Sequence, residues 1–418
     1  MPASSESRII YPLSRNLSWN FAGQILAKFS LLLFHILFAN LVGAKGYGEF
    51  SFVFVAGVII LQPSMDMGLN QLITKWVSRG NTEVIRNSFQ IKSRVSVVLL
   101  PLVILLGWWY GIHPILLGTI LIYFLINTIQ QSLFGILRGL EDLRPESITV
   151  ALQNLLALTV LWIFFNHEIN EAWVGSLVLM LTRCAGTVLV TGIIWKKFLL
   201  KLNNFEHSKT LQSTSNLWQE ALTLGLVLFL IQFYFRIDTI MLGLLSSKTE
   251  VGLYSVAFNL MEGTFFIPSI VMAAIFPGLS QTKQFLNYFR KGLLMLSLTG
   301  IAVGGAVFLF AEIIIQMFFA QEFQGSGEVL KILALAIPII FWGYLMTQSL
   351  VALDHNRIYL GITAFAVLLN VLLNYWLIPE YGAEGAAIAT VITEALIPLS
   401  CFIMILKHYL SNSTAHAN

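Results

Sequence analysis

Arg236 and Asp238 stand inside a run, Ala221 to Leu245 (ALTLGLVLFLIQFYFRIDTIMLGLL), that is otherwise apolar. The run is long enough to cross a bilayer, which takes about 20 such residues. A charge at membrane depth costs at least ~2.5–3.5 kcal/mol on insertion scales, so it needs a partner, a wet cavity or a function. Helical spacing places Gly225, Gln232, Arg236, Thr239 and Gly243 on one stripe, with Leu, Ile, Phe and Met around the rest. The same pattern recurs elsewhere. Asn20, Gln24, Lys28 and His35 share a face at steps of 4, 4 and 7, and Ser255, Asn259, Glu262 and Ser269 do so at 4, 3 and 7. Arg183 and Glu394 lie midway along apolar runs of their own, and Asn370 and Asn374 stack one turn apart.

Three deep bases on three different runs, Lys28, Arg183 and Arg236, predict a wet interior of fixed positive charge. Low-dielectric walls focus such a field and draw in an anion. Arginine favours bidentate contact with phosphate or carboxylate. Gln24 and Gln232 share the faces of Lys28 and Arg236 and join the three bases as candidate substrate contacts. Glu262, Asp238, Glu394 and Asp66 are candidates for coupling or gating, either offsetting those charges or exchanging protons or sodium.

Plainer roles compete. Arg236 and Asp238 are about 200° apart around a helix and make poor partners, so Asp238 equally fits a pair with a neighbouring helix. Asp66, in the tract Pro63-Ser64-Met65-Asp66-Met67-Gly68-Leu69, lies near an inner helix end and fits the interface. Lys331 is one turn from the end of its run and fits snorkelling. Lone Asn and Gln fit helix–helix contacts, and Pro63, Pro268 and Pro338 fit bend points. Other chemistry is missing. There is no phosphate-binding Gly-x4-Gly-Lys-Ser/Thr loop, no pair of histidines at metal spacing and no nucleophile elbow. The two cysteines, Cys184 and Cys401, sit in apolar runs and offer neither disulfide framework nor metal spacing. No enzyme activity, metal or organic cofactor is expected, only a coupling proton or sodium ion.

Of 418 residues 57% are hydrophobic and 11% charged, against roughly 25% charged in soluble domains. Mean hydropathy is +0.80. The chain is expected to be a polytopic membrane protein, helical because backbone in lipid must satisfy its own hydrogen bonds. The runs are continuous rather than alternating, which excludes a β-barrel. The first sixteen residues, MPASSESRIIYPLSRN, are polar, so no cleavable signal is expected. Twelve apolar spans are expected, near 17–40, 47–70, 93–112, 114–137, 147–166, 172–195, 218–245, 251–276, 292–318, 328–352, 358–378 and 383–406. With the N-terminus inside, eighteen of the 24 Lys and Arg, Lys92 among them, fall on inner segments and only Lys45 and Lys248 on outer loops. The positive-inside rule then puts both termini in the cytoplasm.

The largest inner gap, Lys196 to Asn216, divides the spans six and six. It begins as a basic amphipathic stretch suited to the inner leaflet. The halves echo each other. Gly48-Glu49-Phe50-Ser51 parallels Gly252-Leu253-Tyr254-Ser255, Pro63 parallels Pro268, and Gln131-Ser132-Leu133 parallels Gln348-Ser349-Leu350. The expected fold is all-α, with two pseudo-symmetric six-helix lobes, 1–205 and 206–418, and a site between them.

At the level of motifs the chain resembles a known family. Leu41-Val42-Gly43-Ala44-Lys45-Gly46-Tyr47-Gly48-Glu49-Phe50, Asp66-Met67-Gly68-Leu69-Asn70 and Arg236-Ile237-Asp238 with Val251-Gly252-Leu253-Tyr254-Ser255-Val256-Ala257 are similar to segments of Wzx-type oligosaccharide-lipid flippases. Tyr381-Gly382-Ala383-Glu384-Gly385-Ala386-Ala387-Ile388-Ala389-Thr390 fits the start of that family's twelfth span. These flippases form the polysaccharide transporter branch of the multidrug/oligosaccharidyl-lipid/polysaccharide exporter superfamily. The resemblance implies two lobes in a V around a central cationic cavity, alternating in exposure. It implies transfer of an undecaprenyl-pyrophosphate-linked repeat unit from the inner to the outer leaflet of the bacterial plasma membrane, for O-antigen or lipopolysaccharide biosynthesis. Membrane lipid, and the polymerase and chain-length proteins of the same pathway, are the expected partners. Nucleic acid is not, and a monomer is expected. Two alternatives stand beside it. A cation-coupled drug exporter of the same superfamily would favour an acidic or aromatic pocket, whereas cations dominate the first half here. A glycan polymerase or ligase would need a large outer catalytic loop, and every outer loop is short.

Overall fold

The computed structural model describes residues 13–167, 169–201, 214–281 and 284–415, and all regular secondary structure among them is helical. Twelve α-helices follow in chain order: α1 (Leu13–Asp66), α2 (Leu69–Ser78), α3 (Glu83–Trp109), α4 (Pro114–Gly139), α5 (Arg144–Asn166), α6 (Ala172–Lys201), α7 (Thr214–Leu245), α8 (Lys248–Glu262), α9 (Phe266–Leu279), α10 (Phe285–Phe318), α11 (Ser326–Ala352) and α12 (Asn356–Ala415). Ten helical segments among the described residues are long and apolar enough to cross a membrane. Their outward faces carry large apolar side chains, such as Val97, Val98, Trp108 and Trp109 on α3 and Leu294, Leu298 and Leu309 on α10. Apolar patches this extensive fit lipid rather than water. The chain is a multi-pass membrane protein.

Two of the helices are broken. A straight helix of the 54 residues of α1 would run about 81 Å, against about 30 Å of bilayer hydrocarbon. Gly43 interrupts it at φ 69°, ψ 175°, and Gly382 interrupts the 60-residue α12 at φ 52°, ψ −128°. Both angles lie where a side chain is strained, and a Cβ would also meet a carboxylate oxygen at 2.5 Å, that of Glu322 or Glu250 respectively. Those carboxylates cap the helices that restart. Ala44 N–H donates to Glu322 Oε2 at 3.0 Å and Ala383 N–H donates to Glu250 Oε2 at 2.7 Å. Each satisfies one of the orphan N–H groups of a helix start.

The chain forms two compact units. One comprises the described residues of Met1–Leu41 with Val53–Phe233, and the other Val42–Phe52 with Tyr234 onward. The division expected at 205/206 lies outside the described residues. In the first unit α4 is the hub, packed by α2, α3 and α6, and in the second α11 is packed by α8, α9, α10 and α12. Within the second unit the segment Val42–Phe52 lies against α8 backbone to backbone. A Cβ on Gly48 would fall 1.6 Å from Lys248 O, and one on Gly252 2.0 Å from Ala44 O. Tyr47 and Tyr254 are fully buried nearby.

Two departures from the expected spans matter for the site. Met67 and Gly68, at φ 46° and 73°, end α1 at Asp66 and start α2. α2 is amphipathic, with Leu69, Leu72, Ile73 and Val77 buried and Lys75 exposed, as is Arg79 just past its end. The run expected over 251–276 is likewise divided, by a 3-10 turn at Gly263–Phe265. Pro268 explains the break. It has no N–H to give the carbonyl of Thr264, four residues earlier, so one bond of the α-helical ladder is missing at the break.

Candidate functional site

In the first unit the cations that lie within apolar runs of the sequence differ in what holds them. Arg183, half-buried on α6, donates from Nη1 to Gln130 Oε1 at 2.8 Å and from Nη2 to Tyr123 OH at 2.9 Å. Its guanidinium also lies over the Tyr123 ring, 5.2 Å from the centroid. All these partners are neutral, and no described carboxylate pairs with it. Lys28 is exposed on α1, with no ion pair or hydrogen bond to a described residue. Adjacent residues of α5 grip both neighbourhoods. Asn154 Nδ2 donates to Ala27 O at 2.7 Å and Gln153 Nε2 reaches Arg183 O at 3.5 Å. Lys28 and Arg183 therefore flank α5 at one level of the bundle. The side chain of Gln24 lies outside those described. Gln232 is half-buried on α7.

A further cation was not singled out in the sequence. Lys92, counted with the inner-segment charges, is buried inside the first unit, with 4% of its side chain exposed. Its ammonium donates to Asp66 Oδ1 at 3.1 Å, Asn70 Oδ1 at 2.8 Å and Ser132 Oγ at 2.7 Å. Asp66 Oδ1 also accepts from Asn70 N–H at 3.3 Å. Asp66 does sit at a helix end, but in a buried ion pair joining α1, α2, α3 and α4. All three ammonium donors are used, which marks a structural joint. The sequence signal was faint: Asp66 and Asn70 one turn apart, and Ser132 within the repeated Gln-Ser-Leu triplet.

In the second unit Arg236 is not a free base. Its Nη2 donates to both oxygens of Glu262, at 3.0 and 2.8 Å, and its guanidinium lies over Phe258. Asp238 faces elsewhere and is 3% exposed. Its Oδ2 accepts from Tyr254 OH and Thr390 Oγ1, each at 2.8 Å, and its Oδ1 accepts from Asn374 Nδ2 at 2.5 Å. The same Nδ2 reaches Asn370 Oδ1 at 2.9 Å, while Asn374 Oδ1 is buried with no partner. Glu394 accepts from Tyr234 OH at 2.8 Å. Asp238, Asn370, Thr390, Thr393, Tyr234 and Glu394 border one cavity of about 10 Å³. That is about the room one water or a small ion needs. Lys331 is held by Glu312 and by Glu328 at 3.2 Å.

The helical membrane fold has counterparts among solved structures. The chain superposes on the lipid II flippase MurJ in an inward closed conformation with a TM-score of 0.74, at 14% identity, over 92% of this chain and 87% of that one. It matches an inward-facing multidrug resistance MATE family transporter at 0.73, with 16% identity, over 94% and 96%. Residues 13–283 match the polysaccharide biosynthesis protein family, and the chain belongs to it. Residues 224–376 also match the MatE family. Among curated proteins the chain is 25% identical to the probable low-salt glycan biosynthesis flippase Agl15 of Haloferax volcanii, covering 90% of this chain and 78% of that protein. It is 22% identical to the putative O-antigen transporter of Escherichia coli K12, covering 88% and 90%.

Proposed function

We propose that the protein carries a polyprenyl-pyrophosphate-linked oligosaccharide, undecaprenyl in a bacterial host, from the inner to the outer leaflet of the plasma membrane. It does so by alternating access through a cationic interior. Each broken helix counts as two crossings, so twelve spans form two six-helix lobes with both termini cytoplasmic. The observation that carries this is Arg183. A guanidinium at membrane depth, held only by neutral Gln130 and Tyr123, keeps its charge available for an anion. Lys28 stands at the same level of α5 with no described partner. Two of the similar proteins named above, the probable glycan biosynthesis flippase of Haloferax volcanii and the putative O-antigen transporter of Escherichia coli, fit a lipid-linked glycan as cargo. A cationic drug would be repelled by the same charges. The acid cluster of the second unit supplies the coupling. Asp238, Asn370, Asn374 and Thr390 offer oxygens suited to a hard cation, and the unpartnered Asn374 Oδ1 fits such a ligand set for sodium. A proton on Asp238 would serve as well.

The test is flipping of a fluorescent lipid-pyrophosphate oligosaccharide in proteoliposomes. Arg183→Gln and Lys28→Gln should each lower the rate at least about tenfold, the scale of one lost charge-assisted contact. Wild-type rates from both variants would remove the anion site. Asp238→Asn should abolish dependence on a sodium or proton gradient while leaving downhill exchange.

A further inference from the structure

A tight arginine–carboxylate pair is fork to fork, with two N–H groups meeting two oxygens in parallel. The pair in the second unit is not of that kind. Both Glu262 oxygens converge on Nη2 of Arg236, at 3.0 and 2.8 Å. Nε and Nη1 bond to no described residue. The pair is also open, with 23% of the arginine and 42% of the glutamate side chain exposed. Lys92, by contrast, is buried with every donor occupied. One edge of the Arg236 guanidinium is therefore presented and free, while Glu262 covers the rest.

Glu262 is also the last residue of α8, immediately before the 3-10 turn that Pro268 enforces. Thr264 Oγ1 donates to Met261 O at 2.7 Å across that turn, and a Cβ on Gly263 would meet nothing within 4 Å. A short 3-10 stretch within a membrane span is a common hinge, and this one has room to move. The carboxylate that holds Arg236 thus sits at the joint of a divided helix.

We infer that Glu262 is an internal stand-in for the anionic head group, and that a pyrophosphate binding the open edge of Arg236 displaces it and releases the α8–α9 joint. This rests on the proposed pyrophosphate-bearing substrate. A pyrophosphate carries more charge than one carboxylate and can use the fork that Glu262 leaves open. Its arrival frees Glu262, so occupancy by substrate becomes a change in the backbone of the span. Empty, the carrier keeps its arginine neutralised and its joint held.

The experiment uses the full chain in nanodiscs of phosphatidylcholine with inorganic pyrophosphate as probe. Affinity is measured by calorimetry, and backbone opening at Gly263–Phe265 by hydrogen exchange. Glu262→Gln should bind pyrophosphate roughly fivefold tighter or more, because a like charge is gone from the site. That gain should vanish in Glu262→Gln/Arg236→Gln. Pyrophosphate should speed exchange at Gly263–Phe265 in the wild type, and in Glu262→Gln exchange should already be fast without it. Unchanged or weaker binding by a folded Glu262→Gln overturns the inference. So does restoration of wild-type transport by the swap Arg236→Glu/Glu262→Arg, the behaviour of a purely structural pair. Binding that is lost in Arg183→Gln yet indifferent to Glu262→Gln sinks this inference and leaves the anion site standing. No binding by any variant sinks both.

Discussion

Replacing Lys92 by Met should be among the most damaging changes in the first unit, and the damage should be reversible by a second substitution. At 3.1 Å from Asp66, with an effective dielectric of ~20, the two charges attract by about 5 kcal/mol. Removing the ammonium leaves Asp66, 14% exposed, with only the 3.3 Å bond from Asn70 N–H, and strips a donor from Asn70 and Ser132. Breaking one side of a buried pair costs about 3–5 kcal/mol, whereas replacing both sides with uncharged groups is often neutral. Lys92→Met alone should therefore lose about 3–5 kcal/mol, and Asp66→Asn alone a comparable amount. Lys92→Met/Asp66→Asn should return to within about 1 kcal/mol of the wild type, a coupling of about 5 kcal/mol or more between neighbours. That is more than a hundredfold in the ratio of folded to unfolded protein. The assay is reversible unfolding by SDS titration in mixed micelles, followed by tryptophan fluorescence and checked by gel filtration. Single variants within about 1 kcal/mol of the wild type, with additive effects, would refute the account of Lys92 as the pin joining α1, α2, α3 and α4.

The glycine crossing in the second unit is stringent. Gly48→Ala puts a methyl 1.6 Å from Lys248 O, so the helices must part; transport should be lost with a lowered melting temperature, and normal transport would show that the contact is dispensable. The carboxylate caps should be milder and local. Glu322→Ala and Glu250→Ala should each cost about 1 kcal/mol, the typical price of a lost N-cap. Hydrogen exchange should quicken at Ala44 in the first variant and at Ala383 in the second, and exchange spread over the whole chain instead would show that the caps serve more than their own helix ends.

The helices were legible because a bilayer leaves the backbone few options and the apolar runs are long. Their interruptions were legible only in part. Pro268 was visible as a bend point, and the break four residues upstream follows from its missing N–H. Gly43 and Gly382 lay in motifs noted for other reasons, and nothing in their spacing says that Glu322 and Glu250 would reach back to cap the helices they restart. Burial was readable for Asp238, which lies well inside a run and is 3% exposed. It was not readable for Lys92, at the edge of its run, where a count by the positive-inside rule says nothing of what the side chain touches. A pair drawn from α1 and α3 and steadied by α2 and α4 leaves no periodic trace in the chain.

What separates the four cations is donor saturation rather than depth. Lys92 spends all three N–H groups on Asp66, Asn70 and Ser132 and keeps no charge to offer. Arg236 commits one nitrogen to an acid that is itself exposed. Arg183 is held in place by Gln130 and Tyr123, which orient the guanidinium without cancelling it. Lys28 is held by no described residue and stands exposed. Along that series the cost of moving the partner falls and the attraction left for an incoming anion rises, because a bond to a neutral group leaves the net charge in place. A carrier must bind its cargo and then release it. On the function proposed above, fixed cations with neutral supports would give the binding, and a cation with a displaceable acid the release, since Glu262 could return to Arg236 when the head group leaves.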